Sequence, residues 1–138
     1  MKKVNLNAIP WIERKSPKGK YTRFRRNIAL SFQSPKTGPK LPGRPPFEVE
    51  LIRMPRGARH CPFHSHAAEW EFYLIVSGTG TMRVGKKKVP LKVGDCVLNP
   101  PGEPHQIINT ASKTCSIISS RTTRRWTSGI IPTPGSGV

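Results

Sequence analysis

Cysteine is scarce in this chain, and the three present (Cys61, Cys96, Cys115) are an odd number without framework spacing. That excludes a disulfide scaffold and points to a reducing, cytoplasmic setting. Acidic side chains are scarce too, seven against 24 Lys and Arg, for a formal net charge of +17. No apolar run approaches the ~20 residues that cross a bilayer as a helix, so no membrane association is expected. Nor does an apolar stretch stand before Pro10, so the expectation is no secretory signal. Long helices are disfavoured by fifteen prolines and twelve glycines.

At 138 residues the chain fits one domain. Its basic charge is unevenly spread. Residues 1–45 hold twelve Lys and Arg against one acid, whereas residues 46–120 hold nine against six. This divides the chain into a basic, Pro-rich N-terminal arm (1–46), a nearly balanced body (47–120) and a C-terminal tail (121–138). Lys/Arg clusters with aromatics can bind nucleic acid. No helix-turn-helix, RRM signature or zinc-finger spacing accompanies them, so the arm is read as a solvated face and nucleic acid is not an expected partner. Trp11, Tyr21, Phe24 and Ile28 give the arm apolar anchors. It is expected to drape over the body, with strand character near Arg26–Phe32.

From Phe47 the pattern alternates, with Phe47, Val49 and Leu51 on one face and Glu48 and Glu50 on the other, as in a half-buried strand. Further short β-rich runs, broken by Gly/Pro turns, continue to Ser120. About eight such strands make an all-β barrel of the jelly-roll kind.

The chemistry concentrates in CPFHSHAAEWEFYLIVSG, Cys61–Gly78. His64 and His66 stand two apart, a spacing that lets two strand side chains aim at one point. Glu71 follows, and His105 is offered downstream within GDCVLNPPGEPHQIIN. Imidazole and carboxylate together suit a divalent transition metal such as Fe, Mn, Ni, Zn or Cu.

These residues carry a resemblance. The chain is similar to the cupins, small β-barrel proteins with two motifs, G(X)5HXH(X)3,4E(X)6G and G(X)5PXG(X)2H(X)3N. The second matches at Gly94, Pro100, Gly102, His105 and Asn109, and the first at His64, His66, Glu71 and Gly78. The opening glycine of the first departs from the pattern, since Gly57 stands one position early. Fifteen residues separate the motifs (79–93), as in single-domain bacterial cupins. CPFHSHAAEWEFY and SPKGKY resemble stand-alone members of largely unassigned activity.

The resemblance implies a double-stranded β-helix (jelly-roll) barrel in which His64, His66, Glu71 and His105 ligate one divalent metal. It implies either a metal-dependent enzyme of dioxygenase, isomerase or decarboxylase type acting on a small polar or anionic molecule, or a non-catalytic ligand-binding or regulatory module with a structural metal. Fold alone does not choose between them.

Beside the ligands, Glu69 and Tyr73 are the candidate catalytic residues. Glu69 reads first as a solvated loop acid and second as a partner of a metal ligand, and Tyr73 as a core residue or a hydrogen-bonding group in the barrel mouth. The cysteines read as small hydrophobes. Arg53, Arg56, Arg59 or Arg83 is expected to hold an acidic substrate. With Glu71 turned inward, Trp70, Phe72, Leu74 and Val76 point outward and need a cover. That cover is the arm or a second subunit, hence a homodimer.

Overall fold

The computed structural model describes residues 1–123. Among these residues nine strands form two antiparallel sheets. They are β1 (Ile12–Lys15), β2 (Thr22–Asn27), β3 (Phe47–Met54), β4 (Glu71–Ser77), β5 (Gly80–Val84), β6 (Lys87–Leu91), β7 (Cys96–Asn99), β8 (His105–Ile108) and β9 (Cys115–Thr122). The larger sheet runs β1-β2-β3-β9-β4-β7 and the smaller β6-β5-β8. Folded against each other they make the expected all-β jelly-roll barrel.

The core lies between the sheets. Ile52 and Met54 of β3, Tyr73 and Ile75 of β4, Met82 of β5, Ile107 of β8, and Cys115 and Ile117 of β9 all face inward and are buried. Within β3, β4 and β9 these apolar side chains fall at every second position, the period that a strand buried on one face requires. Cys115 is fully enclosed among them and serves as the expected small hydrophobe. Two motif residues are structural. Gly78 has φ +74°, and a Cβ there would sit 2.5 Å from the Thr114 carbonyl oxygen, so only glycine fits. Asn109, fully buried, donates from Nδ2 to the carbonyls of Met54 and Lys113, both at 2.8 Å, and accepts from Ala111 N–H.

Three expectations are revised. The arm does more than drape: β1 and β2 form a hairpin that pairs with β3 and extends the main sheet. Strand character ends at Asn27. Its side-chain oxygen accepts from Leu30 N–H at 2.8 Å and caps a one-turn helix, α1 (Ile28–Ser31). Lastly, the alternation of β3 is present but its faces are exchanged, with Glu50 and Ile52 pointing inward and Phe47 outward, 47% exposed. The inward acids are tolerated because they meet arginines inside the barrel.

On the outer face Trp11 lies between the guanidinium groups of Arg26 and Arg53, with their carbons 4.4 and 4.3 Å from the ring centre. The arm therefore covers the β2–β3 end of that face. Trp70 and Val76, each 45% exposed, and Leu98, 58% exposed, remain open among the described residues. The tail assigned to 121–138 begins as strand, since β9 continues to Thr122, and beyond residue 123 it lies outside the described residues.

Candidate metal centre

His64 and His66 do not lie in a strand. They belong to the irregular connection between β3 and β4, tied down at His64 by one antiparallel bridge to His105 of β8. His64 N–H donates to the His105 carbonyl at 3.1 Å, and His105 N–H returns the bond at 2.8 Å. Gly102 N–H donates to the His66 carbonyl at 2.8 Å. These bonds fasten the two motifs to each other. Glu71 opens β4, whose inward parity it shares with Tyr73 and Ile75.

The four side chains converge. One ligand-type atom from each of His64, His66, Glu71 and His105 falls within 4.8 Å of the others. Glu71 Oε2 is 2.9 Å from His105 Nε2, 3.0 Å from His66 Nε2 and 3.9 Å from His64 Nε2. The nitrogens of His64 and His66 are 3.2 Å apart. Ligands bound at about 2.1 Å to one ion lie roughly 3 Å apart when adjacent, so these separations suit a shared cation.

The outward nitrogens settle which atom faces the centre. His64 Nδ1 lies 2.8 Å from the Pro62 carbonyl, and His105 Nδ1 lies 2.8 Å from that of Glu103. A carbonyl accepts only, so each Nδ1 carries hydrogen and the Nε2 lone pair points inward. His66 Nδ1 is 3.2 Å from Glu69 Oε2. Glu69 is thus placed behind the His66 ring rather than left as a solvated acid, the kind of outer partner that fixes a metal-binding imidazole.

Burial alone would raise the Glu71 carboxyl. Hydrogen bonds from His105 and His66 outweigh it and hold the group down at about 2. Tyr73 Oη approaches the same carboxylate without meeting hydrogen-bond geometry and contributes less. Burial would likewise lower His105, but the bonds to Glu71 and the Glu103 carbonyl raise it above the ordinary imidazole value. In the ion-free protein the Glu71 carboxylate and the His105 ring thus each favour the other's charged form. Three neutral nitrogens and one carboxylate fit a divalent transition ion in chemistry and spacing.

The cluster opens on a cavity of about 140 Å3 whose walls include Arg23 and Arg25 of β2 and Arg121 of β9. None of the four arginines expected to hold a substrate is there. Arg53 stacks on Trp11, Arg83 lies over the Phe63 ring and Arg59 reaches Gln106. Arg56 lines a separate surface hollow with Lys15 and Lys20. The cavity also exposes Glu48, Glu50, His60 and Cys61. Burial pushes the Cys61 thiol up to about 12, so it stays protonated, with Sγ 3.4 Å from His64 Nδ1. Arginine parity in TRFRRN, residues 22–27, was the available signal. It was hard to use because Phe24 on the opposite face invites the reverse assignment.

The family model for the cupin domain matches residues 50–121. An oxalate-binding protein of Thermotoga maritima is 36% identical over 61 residues, 44% of this chain and 50% of that one. The chain thus matches about half the length of this curated relative. Among solved structures, a protein described as a sugar phosphate isomerase from Silicibacter pomeroyi superposes with TM-score 0.70 at 23% identity, covering 87% of this chain and 74% of the other. A predicted oxalate decarboxylase from Thermotoga maritima superposes with TM-score 0.67 at 24% identity, covering 86% and 96%. Sequence motif, sheet order and family match agree, and the chain belongs to the cupin domain family.

Proposed function

We propose that the chain is a metal-dependent enzyme acting on a small organic anion, with His64, His66, Glu71 and His105 as ligands of one divalent transition ion. One observation carries this reading: four donors converge, and three of them, His64, His66 and Glu71, stand on the wall of a small cavity that three arginines also line, with His105 buried behind them. A bound ion would act there as a Lewis acid, polarising a substrate oxygen. The chain's own groups do the rest. Glu69 holds the His66 ring, the Pro62 and Glu103 carbonyls hold His64 and His105, and the arginines favour negative charge in the cavity. The names of the relatives, one oxalate-binding and one a sugar phosphate isomerase, put organic acids and phosphates first among candidate substrates.

The test is reconstitution of tag-free protein with Fe(II), Mn(II), Ni(II) or Zn(II), followed by elemental analysis and a turnover screen over oxalate, keto acids, diketones and sugar phosphates. One ion per chain with conversion of a panel member is expected. Stoichiometric ion with binding but no conversion would favour the second reading, a non-catalytic ligand-binding module. A specific observation supports that alternative: Glu48, Glu50 and Glu71 in the cavity wall are all engaged, leaving no free carboxylate as a base. We assign a second copy of the chain as the cover for Trp70, Val76 and Leu98. Sedimentation at monomer mass across micromolar concentrations would overturn that assignment.

A further inference from the structure

The cavity arginines differ in how their charge is met. Arg25 Nη1 lies 2.8 Å from Glu50 Oε1, whose oxygen also accepts from Asn27 Nδ2 at 2.8 Å. Arg121 reaches Glu48 Oε2 at 2.6 Å and Glu69 Oε2 at 3.4 Å. Arg23 has no carboxylate partner among the described residues. Its one bond is to the backbone carbonyl of His60. Its Nε is buried without a partner, as are those of Arg25 and Arg26, so it is the missing carboxylate that sets Arg23 apart. His60 itself is only 7% exposed, lines the same cavity, and keeps a buried Nδ1 with no partner. Orphaned buried polar atoms are uncommon in folded proteins and mark a place where a ligand or water completes the bonding.

We propose that Arg23 is a specificity-determining residue that binds a second acid group of the ligand, so that the cavity takes a compact dicarboxylate spanning Arg23 and the His/Glu cluster. This rests on the metal reading above and deepens it. A planar guanidinium presents paired N–H donors that match a carboxylate edge to edge, which a lysine cannot do. Burial first, and then the Arg23 charge, hold His60 neutral at about 3, so its ring offers a dipole and Arg23 supplies the net charge. Size limits the ligand further. About 140 Å3 is well below the ~300–1,000 Å3 of pockets that enclose drug-sized molecules, and suits a short diacid better than a sugar phosphate.

The position of Arg23 is as informative as its charge. Arg25 pairs with Ile52, whose side chain is in the core, so strand parity turns Arg23 inward with it while Phe24 and Arg26 face out. Residue 23 also lies outside the segment that matches the family model. The barrel contributes the donor cluster, and the arm's strand contributes the selectivity.

The experiment is calorimetric titration of the full chain, loaded with Mn(II) and assayed for ion content, with oxalate, malonate and acetate. Wild type should bind the diacids at least about tenfold more tightly than acetate. R23Q should lose roughly ten- to hundredfold in diacid affinity, the scale of a charged bidentate bond, and keep acetate within twofold. R23K, which keeps the charge and guards against a folding defect in R23Q, should recover only part of the preference. R53Q, altered on the outer face, should match wild type. An unchanged diacid-to-acetate ratio in ion-loaded R23Q or R23K overturns the role of Arg23 and leaves the metal reading standing. Wild type without stoichiometric ion overturns both.

Discussion

Glu71 Oε2 stands 2.9 Å from His105 Nε2 although 34 residues separate them in the chain. The contact joins the first residue of β4, in the larger sheet, to the first of β8, in the smaller. The candidate centre therefore exists only when the two sheets have closed on each other.

Replacing His105 with alanine should abolish stoichiometric metal while leaving the barrel folded. The ring is almost fully buried and meets Tyr73 edge-on, but the apolar core is built from other side chains and the bridge from His105 to His64 is made by backbone groups. Elemental analysis and circular dichroism together check this. Full ion occupancy in the variant would remove His105 from the ligand set.

Glu69→Gln addresses a weaker, more specific claim. Glutamine can still accept from His66 Nδ1, but it lacks the charge that raises ligand basicity. Removal of such partners costs about 10–100-fold in metal affinity, and an ion titration should show a loss within that range. Unaltered affinity would return Glu69 to the solvated surface.

The metal-free and ion-loaded proteins should differ in how their stability depends on pH. Glu71 is held at about 2 against an ordinary 4.5, so its contribution is complete above 4.5 and is lost as pH falls toward 2. His105 is raised, so its contribution is complete below 6.5 and is lost as pH climbs through its folded value. His60 works the other way: it is buried and neutral down to about 3, so its contribution is complete only above 6.5, in both forms of the protein. Thermal melts in chelator should therefore show Tm falling more, or rising less, from about pH 6 to 8 than melts of ion-loaded protein, in which deprotonated His105 is bound. Identical Tm profiles for the two forms over that range would contradict the pairing.

Gly78→Ala tests the strand junction. An alanine there must adopt φ +74° and meet the Thr114 carbonyl oxygen at 2.5 Å. A loss of roughly 2–4 kcal/mol is expected, seen as a Tm drop of several degrees. Gly102→Ala has the positive φ without the contact and should cost less.

The donor cluster was legible because motif spacing encodes it directly: HXH, Glu71 and His105 sit at fixed offsets from turn glycines. The expected mechanism of convergence was only half right. His64 and His66 share an aim through one β-bridge in a loop, not through strand alternation. The arginine wall was not legible. Choosing Arg23 and Arg25 over Arg53 and Arg83 requires the register Arg25↔Ile52, and that pairing joins segments with a proline-rich stretch between them. The exchanged faces of β3 have the same origin. Nothing local says that Glu50 will find Arg25 inside, so the apolar face looks like the buried one.

Sheet order has a last consequence at its two margins. Among the described residues the outermost strand on one side is β1, Ile12–Lys15, a short exposed run whose last three residues are all charged. On the other side β7 spans four residues and is stopped by the prolines at 100 and 101. Unpaired backbone there would otherwise template accretion of further chains, and brevity, charge and proline are the usual deterrents. Self-association of this barrel is thereby steered away from lateral strand addition and fibre growth, and toward contact through side chains.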